Sequence, residues 1–397
     1  MLDGCVVQEQ GARSCEEGHF YWFEDILVTD NVWDLTEVLG MVVDDAGDVY
    51  VVSQINRFED DGYGYGVTAS RAALTKLGAD GEVLWAQDLS QLDVEDPGTS
   101  AANIHVPIGI ARDLEGALYV TGMTLGGTQA TPNQGAVIGK FDAAGTMLWT
   151  RTFGNADTYD IPSRPRVHPE NGVVLLVGSS MHDGPSDVNN VLALDTDGDV
   201  RWVHQLGESF STPRVEVTTG GRVVVVRTVE APTSSELFDV LDAYDEDGQE
   251  EGLFAPFDDF PDQRVASILA GEGDTIYALS YESNALDGKV TVGRLNVDLE
   301  LDWKRSLGTN RDDHLAEMTL DRDGNLYVAG STEGRFATQP WFGGQDNFVA
   351  KFSPAGIQQW TRTFGSERDD WVSAIAMDQG PGFYVADRWS IDRVCPP

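Results

Sequence analysis

Gly145–Gly154 reads GTMLWTRTFG and Gly356–Gly365 reads GIQQWTRTFG, so six consecutive residues, Trp-Thr-Arg-Thr-Phe-Gly, coincide in two distant parts of the chain. The shared phrase is Gly-x-x-x-Trp-x-x-x-(Phe/Leu)-Gly, and tryptophans recur at Trp22, Trp85, Trp149, Trp202, Trp303 and Trp360. Self-similarity of this kind marks a repeat architecture, in which each copy buries its apolar face against the next. The interval from Trp202 to Trp303 is close to twice the others. A copy without its tryptophan fills that gap. Leu241–Gly252 (LDAYDEDGQEEG) matches the same segment with Gly252 at the tryptophan position, so the fourth unit is expected to pack least well.

Each copy carries four short runs rich in β-branched and aromatic residues. In the second copy they are Ile108–Arg112, Ala117–Thr121, Ala136–Phe141 and Met147–Thr152. Short turns separate them, such as Asp45–Asp48, Asp197-Gly198 and Ala355-Gly356, where glycine supplies the positive φ of a tight hairpin. Tyr50, Tyr119, Tyr277 and Tyr327 share one position of the second run, as side chains between stacked sheets do. The last copy supplies only three runs before the chain stops. Its missing fourth lies at the other terminus, where Trp22 follows Gly18 at the usual spacing. The expectation is an all-β, seven-bladed β-propeller of four-stranded antiparallel blades, the last blade closed by the N-terminal strand. Residues 1–18 form an extension or tether and 19–27 the closing strand. Repeats run over about 37–93, 105–160, 161–209, 210–262, 263–313 and 314–370, with a partial repeat at 371–397. Joining both termini in one sheet removes two exposed edges at once.

That closure gives the cysteines a register. Cys15 precedes Trp22 as Ser353 precedes Trp360, and Cys395 aligns with Ser353 in turn, so a Cys15–Cys395 disulfide is expected to clasp the ring. The alternatives are a Cys5–Cys15 bridge or unpaired thiols. A clasp implies an oxidising compartment. Leu2-Asp3-Gly4-Cys5 is similar to a lipoprotein cleavage box, which makes Cys5 a candidate lipid-anchor site in a longer precursor, although no hydrophobic segment precedes it.

The 66 acidic against 26 basic residues leave a formal charge of -40, which argues against nucleic acid or anionic membrane as partners. No apolar run approaches the ~20 residues that span a bilayer. With 41% hydrophobic and 23% charged residues the composition is that of a folded chain.

Residues 321–330 (DRDGNLYVAG), 348–352 (FVAKF) and 360–365 (WTRTFG) closely resemble the blade of the bacterial seven-bladed β-propeller repeat family. The resemblance is strong in the second and sixth copies and weak in the third to fifth. It implies surface or secreted bacterial proteins without a shared catalytic centre, hence an extracellular or cell-envelope location.

Familiar chemistry is missing. The six histidines show no metal-binding spacing, and there is no nucleophile elbow, phosphate loop or Cys-x-x-Cys. Asp195–Asp199 (DTDGD) opens like a calcium loop, but its glycine comes too early and Leu206 stands where a bidentate glutamate is required, so it reads as a hairpin turn. No cofactor is expected, and calcium is only weakly suggested. The repeated tryptophans read as core, since equivalent positions around a ring cannot converge on one ligand.

Long loops gather on one face. They hold Tyr63 and Tyr65 between glycines, and Phe336, Trp341 and Phe342 in 333–347, aromatics suited to a glycan or protein partner or else to packing on the blade below. Acidic pairs accompany them, including Asp312 with Asp313 and Asp369 with Asp370. The functional expectation is a non-catalytic binding or scaffolding module at the bacterial surface, with a structural component of an envelope assembly as the alternative. A propeller enzyme dependent on a quinone is a third reading, resting on the similarity of Leu192–Trp202 to the repeat of quinone-binding propellers.

Overall fold

A computed structural model describes residues 20–23 and 34–395, apart from 61–64, 91–102, 155–157, 182–187, 211–212, 231–235, 256–262, 283–289 and a few isolated positions. It consists almost entirely of antiparallel strands arranged as seven blades in a ring, a β-propeller. Blade 1 is Asp34–Val43, Val49–Asp60, Tyr65–Leu77 and Val83–Asp88. The innermost strands of the other blades are Val106–Arg112, Thr158–Pro162 with Arg166–Val167, Arg214–Val217, Gln263–Ala270, Asp313–Leu320 and Val372–Met377. Blade 7 takes its outer strand from the other end of the chain. Phe20–Phe23 pairs with Ile391–Val394, Phe20 opposite Val394 and Trp22 opposite Asp392. Cys395, buried, follows that strand directly, while Cys5 and Cys15 lie outside the described residues.

The blades are bonded to one another by a joint that the sequence repeat encodes. Four outer-strand tryptophans lie against the glycine of the hairpin between third and fourth strands in the next blade. Trp85 meets Gly145, Trp149 meets Gly198, Trp202 meets Gly248 and Trp303 meets Gly356. A Cβ at Gly248 would sit 2.6 Å from the Trp202 ring, and the φ of 78° disfavours other residues there as well. In two of these joints the indole N–H also donates to a carbonyl of the same hairpin, from Trp149 to Thr196 at 2.9 Å and from Trp303 to Pro354 at 3.1 Å. Asp195–Asp199 therefore serves as such a hairpin. Asp195 Oδ1 accepts from the amides of Asp197 and Asp199, each at 2.9 Å.

Blade 4 departs from the pattern in a way that corrects the expectation of a loose unit. Gly252 does occupy the tryptophan position, opposite Ala243. The facing hairpin of blade 5 then carries Leu299 instead of glycine, at φ 60° and 1% exposed. It joins the core that links Val224, Leu241 and Ala243 to Ile268 and Ile276, with Phe254 packed against it. A leucine at positive φ costs about 1–2 kcal/mol. Burying it returns roughly 1.5–3 kcal/mol, so the side chain that the turn gained occupies the space that the missing indole vacates.

Two outcomes test this architecture. Replacing Leu299→Gly alone is expected to cost about 2–5 kcal/mol through the void, and Gly252→Trp alone about 1–3 kcal/mol through overpacking. The double variant should recover most of both losses in a denaturation cycle, and additive losses would contradict the joint. At the seam, peptide mapping without reduction is expected to recover Cys15 linked to Cys395, whereas a Cys5–Cys15 peptide would refute that clasp.

Candidate functional site in the central channel

The seven inner strands stand side by side around the channel, with Val372–Met377 of blade 7 against Asp34–Val43 of blade 1. Five of them bulge at one level, where the register slips past Leu39, Ile108, Ala266, Ala316 and Ser373. A bulge turns the strand and re-aims the side chain after it. Counting back from the end of each inner strand places Gly40, Gly109, Arg164, Arg214, Ser267, Glu317 and Ala374 on this ring, in blades 1 to 7. Blade 3 is interrupted there by Ser163-Arg164-Pro165 between its two short inner strands. The charged residues of the ring sit in blades 3, 4 and 6. Blades 7, 1 and 2 contribute only alanine and glycine.

Arg164 uses that space. Its guanidinium donates to the carbonyl of Leu39 in blade 1 at 3.0 Å and to that of Ser373 in blade 7 at 3.4 Å, and pairs with Glu317 of blade 6. Glu317 Oε2 accepts in turn from the amide of Ile375 at 3.3 Å. One side chain from blade 3 thus reaches across the channel. Its stem lies against Gly109, where a Cβ would collide with Arg164 Cβ and Cγ. The base is fixed too, because Ser163 Oγ accepts from the Leu176 amide at 2.9 Å and the Ser163 carbonyl accepts from Thr121 Oγ1 at 2.8 Å.

Beside this crossing lies a cavity of about 200 Å³ bordered by Ser163, Arg164, Arg166, Arg214, Ser267 and Glu317. Three guanidiniums face it in a chain of net charge -40. Arg166 Nε lies 3.1 Å from Glu216 Oε2, an ion pair whose N–H is not aligned for a hydrogen bond. Burial pushes the Glu216 carboxyl up, against the pull of Arg166. Burial also lowers Arg214, with Tyr281 and Asp239 acting in the opposite sense. None of these channel residues stands out in the sequence, because each breaks the repeat at its own position.

The loop face holds the residues that the sequence singled out. Phe336, partly buried, packs edge-on to Phe348 at 5.2 Å, against the core between blades 5 and 6. Trp341 and Phe342 are exposed. Asp369 Oδ1 accepts from the Gln345 amide at 3.0 Å, and the Asp370 amide donates to the Gln345 carbonyl at 2.8 Å, which brings this acidic pair against the aromatic loop. Asp313 and Asp370 have a common structural task, closing the turns after Gly308 and Gly365 by accepting from the Thr309 and Ser366 amides, each at 2.7 Å. Burial raises both carboxyls. Asp312 is exposed. Tyr63 lies outside the described residues, and Tyr65 begins a strand whose backbone pairs with Asp60. Among the described residues no three His, Cys, Asp or Glu side chains are grouped to hold a metal ion, and no helix is long and apolar enough to cross a membrane.

No family model matches the chain. A curated relative, regulatory protein FlaEY of Caulobacter vibrioides, is 26% identical over 149 residues, which cover 32% of this chain and 16% of that protein. Among solved structures the chain is similar to puromycin hydrolase (TM-score 0.55, 13% identity), covering 88% of this chain and 50% of that one. Acylaminoacyl peptidase of Pyrococcus horikoshii (0.51, 10%; 89% and 50%) and prolyl oligopeptidase B of Galerina marginata (0.51, 12%; 91% and 49%) align in the same way. These likenesses establish the fold, and the chain spans about half the length of each peptidase.

They also correct the functional expectation. The expected non-catalytic binding or scaffolding module rests on the family resemblance, the aromatic loops and the lack of hydrolase motifs, yet chains about twice as long that share this fold are hydrolases. Missing motifs in a chain that matches only about half of each such protein do not mark it as non-catalytic.

The seam blade carries a titratable group open to measurement. Asp392, 3% exposed, sits opposite Val385 and Trp22 in the strand pairing. Burial, then the charges of Asp387 and Asp370, push its carboxyl up to about 8. An acid raised by folding stabilises the fold while protonated. That stability is whole below the unfolded value near pH 4 and is lost as pH rises toward 8. Asp392→Asn is therefore expected to gain on the parent by ~1.4 kcal/mol per pH unit between about pH 5 and 8. Denaturation midpoints with a pH-independent difference between the two proteins would refute this.

Proposed function

We propose that this chain is the propeller of a peptide-hydrolysing system and that its substrates are engaged in the central channel. The observation that carries this reading is the convergence of Arg164, Arg166, Arg214 and Glu317, from three blades, around one cavity of about 200 Å³. Recessed guanidiniums recognise carboxylates through paired hydrogen bonds, and a neighbouring carboxylate can receive an ammonium. A short peptide carries both groups. The likeness in fold to puromycin hydrolase and to acylaminoacyl peptidase supports a hydrolase setting for this ring.

The test is an assay on short peptides and chromogenic aminoacyl amides, using protein expressed in and isolated from its source cells. Hydrolysis is expected, and Arg214→Ala should raise KM about tenfold while leaving kcat within about twofold, the signature of lost binding away from the reacting bond. Absence of hydrolysis from material containing the intact protein, or a KM indifferent to Arg214, would overturn the proposal.

A further inference from the structure

The guanidinium of Arg164 is oriented without help from the carboxylate that it pairs with. Two backbone carbonyls, of Leu39 and Ser373, hold one of its nitrogens, Gly109 supports its stem, and Ser163 is anchored on both sides. Carbonyl dipoles orient a cation but do not neutralise it, so a full negative charge is needed at the remaining nitrogen. Glu317 supplies it, as the one member of the ring with that charge. The pair is partly open to solvent, with side-chain exposures of 33% for Arg164 and 21% for Glu317, and it borders the cavity, where Arg166 and Arg214 add positive potential. A partly exposed pair of this kind exchanges partners at less cost than a fully buried one.

We infer that Arg164 is a carboxylate-binding site that the chain itself occupies with Glu317, and that a monocarboxylate ligand enters by displacing that side chain into the cavity. This rests on the channel as the place of substrate engagement and adds what it recognises. The ligand takes the position of the Glu317 carboxylate on a guanidinium already aimed at it, a preorganised arrangement in which little ordering is left to be done on binding. Displacement also releases the Ile375 amide, because Glu317 Oε2 is its acceptor. The ligand's arrival is thereby communicated to the inner strand of blade 7.

N-Acetylalanine serves as the probe and N-acetylalaninamide as its neutral counterpart, titrated calorimetrically. The wild-type protein is expected to bind the acid weakly and the amide not at all. Glu317→Gln keeps the shape but removes the competing charge, and should bind the acid about tenfold more tightly. Arg164→Gln should abolish binding. Should that variant fail to fold, the Glu317→Gln result and amide exchange at Ile375, faster in wild type with the acid present, still decide the matter. Binding to Glu317→Gln no tighter than to wild type, equal binding of acid and amide, or Ile375 exchange unchanged by the acid would each overturn the inference. Acid binding as described in a protein without hydrolytic activity would remove the proposed function and leave this site standing. Hydrolysis with an Arg214-sensitive KM but no tightening in Glu317→Gln would do the reverse.

Discussion

An indole under a hairpin glycine is the contact from which this ring is built. It needs a tryptophan on the outer strand of one blade and a turn in the next whose apex has no side chain and a positive φ. The two requirements lie in the same repeat unit, because a blade such as the second or third offers its tryptophan forward and its glycine backward. A chain that copies the unit copies both halves of the joint. The ring closes when the final unit finds its outer strand at the opposite terminus, and Phe20–Phe23 beside Ile391–Val394 meets that condition.

The joint tolerates revision only in pairs. Gly252 without indole and Leu299 without glycine are each defects alone, and together they form a joint of different shape and similar filling. Close packing explains why: a void of indole size leaves its lining without partners, and the neighbouring turn is the nearest place from which to fill it. Blade 4 is therefore an equivalent solution rather than a weak point.

Much of this was legible in the chain, and the limits have physical causes. Tryptophan spacing, hairpin glycines and the incomplete last copy reveal seven blades and their closure, because those features are required in nearly every unit. Leu299 carries no signal of its own in the sequence, since its meaning depends on Gly252 in the preceding blade and not on its own neighbours. The channel ring was invisible for a related reason. A bulge adds one residue to five inner strands, and Pro165 interrupts a sixth, so equivalent positions cannot be aligned without the hydrogen-bond register. The aromatic and acidic loops are conspicuous in the sequence for their composition, yet Phe336 packs against the core and Asp313 and Asp370 close turns. Repetition advertises what holds the ring together, whereas individuality accumulates at the channel, the one place all seven blades share.

The seam and the channel are mechanically linked. Blade 7 is assembled from two parts of the chain distant in sequence, with Phe20–Phe23 pairing along Ile391–Val394. From inside the ring, Arg164 takes the Ser373 carbonyl and Glu317 takes the Ile375 amide, so the inner strand of the same blade is held by blade 3 across the axis and by its neighbour, blade 6. In a closed ring the blade assembled from two distant segments lacks the covalent hairpin that joins third and fourth strands elsewhere, so its inner strand depends more on contacts such as these. Placing the exchangeable carboxylate on Glu317, with its second oxygen on Ile375, puts the ligand-sensitive bond at the point of the ring most able to respond.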